Sequence, residues 1–130
     1  VGSKKQKKVF QTDKAAVTGG PYSQAIIHNG LIYVSGQGAV DPQTNEIKLG
    51  SVEEEAELAL ENLRIILHEA GSSLEKVLTI TVYLLDIAEY SRFNEVYKKY
   101  FKKNRPARTC IQAGSLPFNT RVEITATAYI

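Results

Sequence analysis

The dipeptide Asn29-Gly30 constrains this chain more than any other feature. It stands between two β-branched, apolar runs in Gln24–Gly36, QAIIHNGLIYVSG. Asn-Gly accepts the left-handed backbone of a type I′ turn, and that turn matches the twist of two antiparallel strands. Strands are therefore expected at about 24–28 and 31–36. At 130 residues the chain fits one domain, 1–130, able to bury a core without a disulfide or metal staple. A sheet seeded by this hairpin needs partners for its apolar face, and the rest of the sequence supplies them.

Ser51-Val-Glu-Glu54 reads as a capping box, a serine with a glutamate three residues on. After it Ala56, Ala59, Leu60, Leu63, Ile66, Leu67 and Ala70 recur at helical spacing, and Gly71 ends the run. Glu53, Glu54, Glu55, Glu57, Glu61 and Arg64 supply the polar face, and His68 a surface position near the end. Phe93, Val96, Tyr97, Tyr100 and Phe101 mark a second helix whose aromatic stripe reads as core, with Lys98, Lys99, Lys102 and Lys103 toward its C-terminal end.

Between the helices Lys76–Asp86 alternates as a strand, with Leu78, Ile80, Val82 and Leu84 on one face and Thr79, Thr81 and Tyr83 on the other. A further strand begins at Arg108. In the last, Val122, Ile124, Ala126, Ala128 and Ile130 share a face opposite Arg121, Glu123, Thr125, Thr127 and Tyr129. Asp41–Ser51 is turn-rich, a loop with one short extended piece. The order β, β-hairpin, α, β, α, β, β predicts an α+β fold, with two helices packed on one face of a mixed sheet. The second face, rich in Thr, Tyr and Ser, suits solvent or a partner subunit.

Several functions are argued against. A net charge of +2 is too small to call for nucleic acid, and Lys4, Lys5, Lys7 and Lys8 read as a solvated basic tail over residues 1–8. No run approaches the ~18 apolar residues of a membrane span, and no secretory signal opens the chain. One cysteine cannot form an internal disulfide, which favours a reducing compartment. Two isolated histidines and one cysteine leave no metal set and no Cys–His dyad. Nucleotide-binding and hydrolase signatures are absent.

Three residues keep two readings each. Arg108 is a surface ion-pair partner or a bidentate carboxylate clamp. Cys110, on the same side of its strand, is a small buried hydrophobe or part of a pocket. Glu123, in mid-strand, is structurally paired or held for proton transfer.

Four blocks then carry a resemblance: GPYSQA (Gly20–Ala25), YVSGQ (Tyr33–Gln37), PARTC (Pro106–Cys110) and VEITATA (Val122–Ala128), with FNEVYKKYF (Phe93–Phe101) between them. Together they closely resemble the YjgF/RidA family, the reactive-intermediate deaminases, over nearly the whole chain after the basic tail. The resemblance implies a chorismate-mutase-like fold in a homotrimer, with sheets lining an inner β-barrel and a site in each cleft between subunits. It implies hydrolysis of 2-imino acids or enamines, such as 2-iminobutanoate and 2-iminopropanoate, to 2-keto acids and ammonia, with no cofactor and no metal.

By resemblance Arg108 binds the substrate carboxylate. The Cys110 backbone carbonyl, rather than its sulfur, orients the imine nitrogen. Glu123 positions or activates the hydrolytic water. Tyr22 enters across the subunit cleft, Ser35, Gly36 and Asn94 line it, and Arg105 reads as a surface neighbour rather than a second clamp. Thr125 departs from the second acid frequent in the family's last strand. A cytoplasmic protein is expected, with the mitochondrion as the other compartment. Two rival readings remain: an endoribonuclease or translation inhibitor, and a non-enzymatic trimer that binds small carboxylates.

Overall fold

A computed structural model describes residues 6–17 and 19–130. Six strands and two helices follow the expected order: β1 (Lys8–Phe10), β2 (Ala25–His28), β3 (Leu31–Gln37), α1 (Val52–Glu69), β4 (Val77–Leu84), α2 (Tyr90–Tyr100), β5 (Ala107–Gln112) and β6 (Val122–Tyr129). Lys8 already belongs to β1, so the sheet starts inside the stretch assigned to the basic tail; Lys4 and Lys5 lie outside the described residues. The strands form one sheet in the order β1-β2-β3-β6-β4-β5. Neighbours run antiparallel except β4 and β5, which α2 connects in parallel. The sheet is therefore mixed, as expected.

Local chemistry explains the elements. Asn29 and Gly30 take φ of 51° and 77°, the left-handed values that a tight hairpin requires. Ser51 and Glu54 complete a reciprocal capping box at the start of α1. Gly71, at φ 88°, ends that helix. The short extended piece expected in the 41–51 loop is a bridge between Val40 and Ile47.

α1 lays Ala56, Ala59, Leu60, Leu63, Ile66 and Leu67 against Ile32, Val34, Ile80, Val82, Ile124 and Ala126 of the sheet, all buried. Phe93, Val96, Tyr97 and Phe101 extend the same core from α2 and the residue after it. The other face of the sheet presents Tyr33, Thr79, Thr81, Tyr83, Glu123, Thr125, Thr127 and Tyr129, half-buried or exposed.

Three positions depart from the alternation. Leu78 is exposed, because β4 carries a bulge against β6: Val77 pairs with Ala128 but Thr79 with Thr127, so Leu78 is the extra residue. Ile130 is also exposed, lying beyond the end of β6. Glu55, assigned to the polar face of α1, is 1 % exposed. Its carboxylate accepts the Gly50 and Arg121 backbone N–H groups at 3.0 and 2.7 Å, tying the α1 entry loop to the start of β6.

Candidate active site

Arg108 sits on β5, at the open edge of the sheet. It registers with buried Ile80, and Cys110 with buried Val82, so both side chains lie on the helix-covered face. There α2 gives Arg108 an aromatic shelf. Its Cζ stands 4.6 Å from the ring centre of Tyr97, 5.4 Å from Tyr90 and 5.9 Å from Phe93. Its Nη2 donates to the Tyr90 hydroxyl at 3.0 Å. Stacking and hydrogen bonding fix the plane of the guanidinium fork before any ligand arrives. A cavity of about 290 Å³ opens beside it, lined by Asn94, Tyr97, Lys98, Arg105, Pro106 and Arg108.

Of this cavity's lining residues, Asn94 has its Oδ1 buried with no hydrogen-bond partner among the described residues, and Tyr97 has its buried hydroxyl held beside the Arg108 guanidinium. Burial also pushes the Tyr97 phenol above its ordinary value. Cys110 is half-buried and packs against the core. Desolvation raises its thiol pKa and the Arg108 charge offsets only part of that rise, so the sulfur is a poor thiolate.

Glu123 occupies the opposite face. It registers with Tyr83 on β4, in the row of Thr125 and Thr127. Burial raises its carboxyl above the usual carboxylate range. Gly36 lies against it: a methyl group added at Gly36 would stand 2.5 Å from Glu123 Oε2. A second bulge makes this approach. Val34 pairs with Ala126 but Gln37 with Ile124, one residue too many on β3, and Gln37 turns inward to 5 % exposure. Glycine inside a strand is the sequence signal for such a bulge or close approach.

Next to Gly36 a cavity of about 180 Å³ is lined by Tyr22, Gln37, Val17, Ile47 and Phe118, among others. Phe118 was missed by sequence reasoning. It is 72 % exposed at φ 60°, a left-handed conformation unusual for an aromatic residue.

The GPYSQA segment is held in place by its own polar residues. Ser35 Oγ donates to the Ser23 carbonyl at 2.6 Å, so this hydroxyl serves as a tie. Gln24, 2 % exposed, accepts the Thr12 N–H at 2.8 Å and donates to the Ala16 carbonyl at 2.7 Å.

The predicted residues thus fall into two sets. Arg108, Cys110 and Asn94 gather at the α2–β5 edge; Tyr22, Ser35, Gly36 and Glu123 gather around the bulge in β3. Within one chain the sheet separates Arg108 from Glu123. Arg105, expected as a surface neighbour, is exposed but lines the Arg108 cavity, its Nε donating to the Phe101 carbonyl at 2.7 Å. Among the described residues no three His, Cys, Asp or Glu side chains cluster as a metal set would, and no helix is long and apolar enough to cross a membrane.

The model of the endoribonuclease L-PSP family matches residues 12–130. The chain belongs to the Rid/L-PSP family. A RutC family protein of Pyrococcus abyssi is 43 % identical over 123 residues, 95 % of this chain and 97 % of that protein. A human Rid/L-PSP relative named 2-iminobutanoate/2-iminopropanoate deaminase is 44 % identical over 122 residues, 94 % of this chain and 89 % of that one. Among solved structures of the family, Escherichia coli TdcF with bound serine superposes with a TM-score of 0.89 at 36 % identity, covering 95 % of this chain and 98 % of that one.

Proposed function

We propose that the chain hydrolyses reactive 2-imino acids and their enamine tautomers, such as 2-iminobutanoate and 2-iminopropanoate, to 2-keto acids and ammonia. Its setting would be the cytoplasm or the mitochondrion. The site would be composite: the Arg108 set of one copy closes on the Glu123 set of the next, in a homotrimer whose uncovered sheet faces line a central barrel. The observation that carries the reading is the shelf under Arg108, a permanently charged planar fork held ready beside a cavity. The deaminase name of the human relative supports the chemistry, and the serine bound to TdcF supports a small amino-acid-like ligand.

Each residue then has a modest task. Arg108 takes the substrate carboxylate through two parallel N–H bonds and so fixes C2. The Cys110 carbonyl accepts from the protonated imine nitrogen, and the desolvated thiol stays out of the chemistry. Glu123 holds a water and takes its proton as the oxygen bonds to C2. That proton passes to nitrogen; ammonia leaves as the C–N bond breaks, and the new hydroxyl returns its proton to Glu123 as it becomes the keto carbonyl. A carboxyl raised by burial sits closer to working pH, which is what proton exchange with water demands. Alignment of water and imine supplies the larger share of the barrier reduction, as in intramolecular reactions. Thr125 shares the face of Glu123 and, in place of a second acid, lowers the negative charge around it.

The test is release of keto acid from freshly generated 2-iminobutanoate and 2-iminopropanoate, with semicarbazide as the competing trap. Acceleration over the spontaneous rate is expected, with loss of about a hundredfold or more in Arg108→Ala, because bound charge and orientation go together. An Arg108→Ala protein as active as wild type refutes the site. The ribonuclease reading follows the family's name, but neither cavity places a histidine for proton transfer at a phosphate ester. His28 and His68 line neither the Arg108 cavity nor the one beside Gly36.

A further inference from the structure

The cavity beside Arg108 carries more positive charge than one carboxylate requires. Three of its six lining residues are cations, Lys98, Arg105 and Arg108, and none is acidic. Lys98 Nζ lies 2.9 Å from the Glu95 carboxylate, an exposed pair within one helix that releases its lysine at little cost. Arg105 is held differently. Its Nε donates to the Phe101 carbonyl at 2.7 Å, just past the end of α2, which anchors the root of the guanidinium. No acceptor among the described residues meets its two terminal nitrogens. These are the pair that grips a carboxylate end-on.

The same wall includes two neutral polar residues, Asn94 and Tyr97. Tyr97 is 5 % exposed, with its hydroxyl held beside the Arg108 guanidinium, and Asn94 Oδ1 is buried with no hydrogen-bond partner among the described residues. The volume of about 290 Å³ stands near the lower bound of small-ligand sites.

We infer that the cavity holds a ligand with two carboxylates, the 2-imino or 2-keto derivative of an acidic amino acid. Its first carboxylate lies on Arg108 and its second on Arg105, with Lys98 adding to the field. The imino form rests on the deaminase reading; the binding preference does not. Arg105 is thus a specificity-determining residue, selecting acidic over aliphatic side chains.

Titration calorimetry with 2-oxoglutarate and 2-oxobutanoate tests the binding, using the full chain in its native assembly. The dicarboxylate is expected to bind about ten- to a hundredfold tighter, the range of one added charge-assisted contact. Arg105→Ala abolishes that ratio and Arg105→Lys restores part of it, with thermal unfolding checked for both. Equal affinities in the wild type, or a preference that survives in Arg105→Ala, overturns the assignment. Imine turnover reads the other question. A dicarboxylate preference without acceleration of any imine sinks the deaminase reading and leaves the subsite standing.

Discussion

Replacing Gly36 by alanine probes the acid while leaving Glu123 itself unsubstituted. The new methyl would stand 2.5 Å from Glu123 Oε2, 2.8 Å from Cδ and 3.2 Å from Cγ. Ordinary van der Waals contact begins at 3.4 Å, so the carboxylate must retreat by roughly 0.9 Å. The obstacle is the far end of a flexible side chain rather than backbone, so the fold can absorb the change. Catalysis cannot absorb it equally well: a misplacement of about 1 Å at reacting groups costs on the order of a hundredfold. The expected result is turnover of 2-iminobutanoate about a hundredfold below wild type, with KM and urea-unfolding midpoint nearly unchanged. Gly38→Ala is the internal control, because its methyl meets only the Val122 carbonyl, at 3.5 Å. Wild-type turnover in Gly36→Ala would refute the role given to Glu123. A large drop in stability would instead show that the bulge has a packing function.

Glu123→Gln separates catalysis from stability. Burial raises this carboxyl above its ordinary 4.5, so the folded chain binds that proton more tightly than the unfolded one. Its contribution to stability is therefore present at low pH and lost as pH rises through the folded value. The glutamine variant should match or exceed wild type in urea unfolding at pH 8 and lose that advantage at acid pH, while turnover falls about a hundred- to ten-thousandfold; lower stability at pH 8 would contradict the desolvation account. Asn62→Leu tests a different kind of buried polar group. Asn62, 0 % exposed, donates to the Val40 carbonyl at 2.7 Å and accepts the Ala16 N–H at 2.7 Å. Orphaning both backbone groups should cost about 2–5 kcal/mol in urea unfolding, and a loss under about 1 kcal/mol would show that water replaces the amide.

What could be read from the sequence was local. The Asn29-Gly30 turn, the Ser51–Glu54 box and the alternation of Val122–Ala128 are short-range geometry, set by adjacent residues. Leu78 failed because one extra residue in β4 reverses the alternation from that point, and the pairing partner that decides this is some fifty residues away. Glu55 and Asn62 look like ordinary polar residues on a helix; only the loops packed beside α1 make their burial worthwhile. The candidate residues were visible as motifs, yet their division between two faces was not. It follows from the register of β5 on β4 and of β4 on β6, which no spacing encodes. Tyr97 was assigned to the core and does pack there, but its ring face also carries Arg108. Arg105 was set aside as surface, since nothing in RPART says which way the first arginine turns.

The sheet that parts Arg108 from Glu123 also has a consequence for inheritance. An allele with a ruined clamp still encodes a sound acid, and one with a ruined acid still encodes a sound clamp. Where each site draws on two copies, two such alleles complement each other in one cell, although neither alone builds an intact site. After gene duplication the same division permits each copy to lose a different half. Two paralogues are then retained together because neither remains sufficient, and a homomer becomes an obligate heteromer without any gain of function.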